Sequence, residues 1–89
     1  MKAVITVTGK DSMGIIAGVA GVCAELGANI VDISQSVLQE YFAMIMLVEI
    51  DELSISFGDF VDELKSLGDQ NGLLIQAMHE DIFNSMHRI

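Results

Sequence analysis

The chain has 89 residues, a formal net charge of -9, four basic side chains (Lys2, Lys10, Lys65 and Arg88) and one cysteine. That length suits a single domain over 1–89, and the lack of a basic footprint excludes nucleic acid and an anionic membrane surface as partners. Cys23 has no mate for an internal disulfide and reads as a small buried hydrophobe. Counted with glycine, apolar residues make up roughly 60% of the chain against a usual 45–50%. A small monomer cannot hide that much, so an oligomer is expected.

Residues 2–8, KAVITVT, set Ala3, Ile5 and Val7 against Val4, Thr6 and Thr8, the alternation of a β-strand. Gly9 and Lys10 make the turn. Asp11 or Ser12 then caps a helix predicted over 12–26, since either side-chain oxygen can accept from the free N–H groups of a first turn. Ile15, Val19, Val22 and Leu26 form its core stripe, and Gly27 supplies a left-handed cap. The rest of this helix is unusual. From Met13 to Gly27 only Glu25 is charged, and Gly14, Ala17, Gly18, Ala20, Gly21 and Ala24 keep its surface small. An outer helix of a solitary domain carries a polar stripe; its absence predicts a partner chain. Gly14 lets another molecule approach the backbone where unpaired N–H groups attract anions, carboxylates among them.

Residues 29–39 read as a second strand, with Asp32, Ser34 and Ser36 on one face and Val31, Ile33 and Val37 on the other. Glu40 and Tyr41 are the expected hairpin. The third strand, 42–50, is apolar on both faces until Glu49, so its second face is expected to be at least partly covered. Residues 51–56 lead to a second helix. Ser56 and Asp59 have capping spacing, Phe57, Phe60, Val61, Leu64 and Leu67 supply the stripe, and Gly68 is read as its end. A turn at DQNG and a fourth strand over 73–79 follow. The tail, 80–89, reads as one amphipathic turn or short helix carrying Ile82, Phe83, Met86 and Ile89.

The order β-α-β-β-α-β fits the split βαβ layout of ferredoxin-like α+β sandwiches: an antiparallel four-stranded sheet with two helices on one face. Right-handed crossovers then make strands one and three central, and those are the two most apolar. A metal-carrying version of the layout needs soft thiolates on the first loop, and residues 9–14 hold none. An acyl-phosphate hydrolase needs an Arg there, but the sole Arg is Arg88. An RNA-binding version shows aromatics on strands one and three, where Phe42 stands alone. No nucleophile, base and orienter come together, so catalysis is not expected. What remains is a binding or interaction module, with no cofactor and no metal. Lys2 is followed at once by strand-like residues and no apolar run reaches membrane-spanning length, so the default location is cytoplasmic.

DSMGI at 11–15 and GANI at 27–30 resemble the paired motifs of the ACT domains, small-molecule regulatory modules often tuned to amino acids. In that family a D-x-x-G-hydrophobic helix start is followed by G-x-N-I entering strand two. The likeness covers nearly the whole chain and points to the free-standing ACT proteins of bacteria and archaea, with a distant similarity to the glycine cleavage system regulator. Serine-feedback domains carry a His two positions before the Asp; Gly9 stands there in this chain, a departure from serine specificity.

The resemblance implies a homodimer, or a tetramer, in which the first helix and second strand of each chain meet their mates with an amino acid at the seam. Backbone N–H groups at Met13, Gly14 and Ile15 would receive the ligand carboxylate. Asp11 and Ser12 from the loop, with Asn29 or Ile30 from the neighbouring chain, would complete the site; Asp32 and Gln35 are secondary members. Structural readings stand beside these: Asp11 as a helix cap worth about 1 kcal/mol, Asn29 as a turn residue, Gly14 as a packing residue. The alternative function is a protein-interaction module that regulates another protein without a tightly bound metabolite. His79 and His87, near Glu80 and Asp81, are two histidines with no third metal ligand fixed. Met44, Met46, Met78 and Met86 read as core or interface filler.

Overall fold

The computed structural model describes residues 1–10 and 14–86. It runs β1 (Lys2–Gly9), α1 (Ile15–Leu26), β2 (Asn29–Leu38), β3 (Tyr41–Glu49), α2 (Phe57–Asn71), β4 (Leu74–His79) and α3 (Glu80–Met86). All strand pairs are antiparallel in the order β2-β3-β1-β4, so the two most apolar strands are central, as the crossover rule requires. Ala3, Ile5 and Val7 of β1 share one sheet face with Phe42, Met44, Met46 and Val48 of β3, and all seven are buried. Ile15, Val19 and Cys23 of α1 and Phe60 and Leu64 of α2 close over them. Phe60 and Leu64 are fully buried, each worth about 1.5–3 kcal/mol of transfer free energy.

Several boundaries differ from expectation for identifiable reasons. Helix α1 starts at Ile15 with Gly14 as its cap rather than at 12, because Gly14 holds a left-handed φ of 75° that ends the helical run toward the N-terminus. The stripe along α1 is Ile15, Val19 and Cys23; Val22 and Leu26 are half-buried. Helix α2 does not stop at Gly68 but runs on to Asn71 and is capped by Gly72 at φ 67°. The β2–β3 hairpin turns at Gln39 and Glu40, since Leu38 pairs Tyr41, and Gln39 takes a positive φ of 54° without being glycine. The Ser56 side chain accepts from the Asp59 N–H at 3.1 Å, the expected cap.

A bulge interrupts β2 between Ile30 and Asp32, leaving Val31 as the extra residue. Beyond it, Asp32, Ser34 and Ser36 stand opposite Leu47, Ile45 and Ala43, on the sheet face away from the helices. Ile33, Gln35 and Val37 stand opposite Met46, Met44 and Phe42, on the helix side. Strand β2 is nonetheless an edge, and nearly every residue of it is exposed. The far face of the sheet is covered only in part: Val4 is buried there and Leu47 half-buried, whereas Ile45 is exposed. Helix α3 packs against β1 and β4. No helix among the described residues is long and apolar enough to cross a membrane.

Candidate functional site

The expected site residues fall at the two ends of α1. At its N-terminus, Gly14 sits at φ 75° and ψ -7°, exposed, and its carbonyl accepts from the Gly18 N–H at 2.9 Å as the first helical bond. That leaves the N–H groups of Ile15, Ile16 and Ala17 without helical acceptors. Among the described residues no side-chain cap takes them, and no acidic residue occupies the first turn. The helix dipole adds its positive end at the same place. Asp11, Ser12 and Met13, the remaining loop members of the expected site, lie outside the described residues.

At the same end of the sheet a groove of about 500 Å³ lies between the end of β1 and the β2–β3 hairpin, lined by Gly9, Lys10, Ser36, Leu38, Tyr41 and Phe42 among others. The Lys10 ammonium sits 5.7 Å from the Tyr41 ring centroid, within cation–π range. This cation and the open helix start make the end favourable to an anion. Sequence reasoning treated Lys10 as a turn residue and missed the groove; its one signal is that Lys10 is among only four cations and flanks the glycine loop.

At the C-terminus of α1 a larger groove, about 820 Å³, is lined by Ala20 and Ala24 of the helix, Asn29 and Ile30 of β2, and Glu49, Asp51 and Glu52. Its shape rests on Gly27, held at φ 86°, where a Cβ would collide with the carbonyl oxygen of Glu52. The Ser54 N–H donates to the Leu26 carbonyl at 2.8 Å and fixes the loop to the helix end. Asn29 and Ile30, neighbours in sequence, both line this groove, and acidic side chains surround them. Asp32 stands on the sheet face opposite α1, its carboxylate accepting the Ile33 N–H at 2.9 Å. Asp32 and Gln35, three residues apart in a regular stretch of β2, lie on opposite faces of the sheet, so they do not act together.

A twelve-residue helix is ~18 Å long at ~1.5 Å per residue. Gly14 and Asn29 are separated by that span, and one chain alone does not bring them together. His79 Nδ1 accepts the Asp81 N–H at 3.2 Å, which caps the start of α3, and His87 lies outside the described residues. Among the described residues no three His, Cys, Asp or Glu side chains group to hold a metal ion. Cys23 is fully buried, and burial pushes its thiol up to about 11, so it is a packing residue.

A sandwich of this topology, with a glycine-opened helix start after its first strand, defines a class of small α+β domains. Residues 2–78 match the ACT domain family, and the chain belongs to it. It is 51% identical over 89 residues to a UPF0237 protein of Clostridium acetobutylicum, covering all of both chains. It is 48% identical to the solved ACT domain protein from Streptococcus pneumoniae, with a TM-score of 0.81 over 93% of each chain. It is also 27% identical to a solved candidate glycine cleavage system transcriptional repressor, with a TM-score of 0.69 over 89% of this chain and 47% of that one.

Proposed function

We propose that this protein is a regulatory module that binds an amino acid as a homodimer, with the ligand at the seam between two chains. The observation that carries the reading is the separation of Gly14 from Asn29 and Ile30 by the length of α1. A two-fold mate with its α1 antiparallel brings the helix start of one chain to the acidic groove of the other. The N–H groups of Ile15 to Ala17 then meet the ligand carboxylate. Asp11, Ser12 and Met13 of that loop, with Asn29 and Ile30 of the mate, hold the rest.

Two surfaces suit the seam. The exposed side of α1 is small and nearly uncharged at Ala17, Gly21 and Ala24. Strand β2 presents an unpaired edge with Val31, Val37 and Leu38 exposed and no Lys or Pro to blunt it. Asp32 is an outlying member. No cofactor, metal or catalytic step enters this reading, and the location is cytoplasmic.

Thermal unfolding with each of the twenty amino acids tests it. A ligand at 100 times its Kd adds roughly 2.7 kcal/mol to stability, so at least one amino acid should raise the Tm of the wild type and not that of Gly14→Val. If none shifts the wild type, the amino-acid reading fails and regulation through another protein takes its place.

A further inference from the structure

Thr8, Ser36, Leu38, Tyr41 and Ala43 share the sheet face turned away from α1, and with Lys10 they line the groove of about 500 Å³ at the hairpin end. That volume falls in the range of small-molecule sites. Helix α3 begins beside the Ala3–His79 pair, at the other end of β1, and lends no residue to this lining. Leu38 and Tyr41 are 72% and 52% exposed and give the groove an apolar wall. Lys10 Nζ stands 5.7 Å from the Tyr41 ring centroid, which holds the cation over that wall. No carboxylate of the described residues lines the groove, and none of them forms an ion pair with Lys10. On a chain of net charge -9, one cation thus stands above an apolar wall, with Thr8 and Ser36 in the same lining.

We propose that this groove binds a small carboxylic acid with an apolar body and no amine. Charge complementarity selects the occupant. The carboxylate takes the Lys10 ammonium, and the apolar body lies along Leu38, Tyr41 and Ala43. A free amino acid is turned away, because its ammonium would face Lys10 with no carboxylate of the described residues to receive it. A phosphate ester suits the groove less, since it calls for several charged donors and one lysine supplies a single point charge. The groove is complete in a single chain. Only Ser36 and Leu38 of its lining belong to the β2 edge that the proposed seam uses, so the groove does not depend on that seam.

Amide chemical shifts of the full chain, titrated with 3-phenylpropionate, octanoate and phenylalanine, are the test. Phenylalanine is 3-phenylpropionate with an α-ammonium added, so that pair isolates the effect of the amine. The expected result is that 3-phenylpropionate or octanoate saturably shifts the Lys10, Tyr41 and Ala43 amides at millimolar concentration, while phenylalanine leaves all three unmoved. Lys10→Met should weaken that binding about tenfold, the loss of one charge-assisted hydrogen bond, and Lys10→Arg should keep it. Phenylalanine shifts confined to the neighbourhood of Gly14 and Asn29 would support a groove separate from the seam. If neither acid moves the groove amides, the inference is overturned. Equal binding by Lys10→Met would overturn it too, as would phenylalanine shifting the same amides as strongly as 3-phenylpropionate.

Discussion

Gly68 and Leu73 meet backbone to backbone: the Leu73 N–H donates to the Gly68 carbonyl at 2.9 Å, and a Cβ built on Gly68 would stand 2.6 Å from the Leu73 carbonyl oxygen. The glycine is buried in the last turn of α2, where it lets the helix close on β4. Gly68→Ala gains about 1 kcal/mol of helix propensity but forces a shift of backbone, which costs about 1–3 kcal/mol. A net loss follows, read as a lower denaturant midpoint with an unchanged m-value. Gly68→Ala at or above wild-type stability would mean that α2 has room to move.

Gly14 is the opposite case. No atom of the described residues lies within 4 Å of a Cβ built there, yet its φ is 75°. Gly14→Ala therefore meets conformational strain alone, about 1–2 kcal/mol for a side chain in the left-handed region. The fold should survive with that loss in urea unfolding, and Gly14→Asn should recover part of it. A loss much above this range would show that Gly14 packs against something in the assembly.

Cys23 makes stability fall in alkali. Its thiol ionises near 9.0 in an unfolded chain and at about 11 when buried, so the folded chain holds its proton longer. The unfolded state then binds fewer protons between those values, and stability falls as pH rises. The contribution is complete below pH 9.0 and lost as pH climbs through about 11. Cys23→Ala should flatten that part of the stability profile, measured as the denaturant midpoint against pH, and a neutral-pH thiol reagent should label wild-type Cys23 only after unfolding.

The sheet order was legible because the β-α-β-β-α-β order with right-handed crossovers makes β1 and β3 central, and they are the two most apolar strands. The cap at Ser56 was legible because capping is local. Gly68 was misread as a helix end because its reason is the Leu73 carbonyl just before β4, five residues on in sequence and across a turn. The hairpin was misplaced by one residue because Gln39 takes a conformation usually given to Asn or Gly. The bulge at Val31 has no marker in composition. Of the site, the glycine-opened helix start and the Asn29 strand entry were both visible as motifs. The Lys10–Tyr41 groove was not, since only the folded hairpin brings Tyr41 under Lys10.

A complete site needs two chains, and mixing two defective variants puts that to the test. Gly14→Val spoils the helix start and Asn29→Ala the strand entry; titration calorimetry would follow the amino acid that most stabilises the wild type. Each variant alone should bind nothing, and after subunit exchange the mixture should bind again, because every mixed dimer keeps one intact seam. A mixture as silent as its parts, with both variants folded and exchanging, would contradict a site shared between chains.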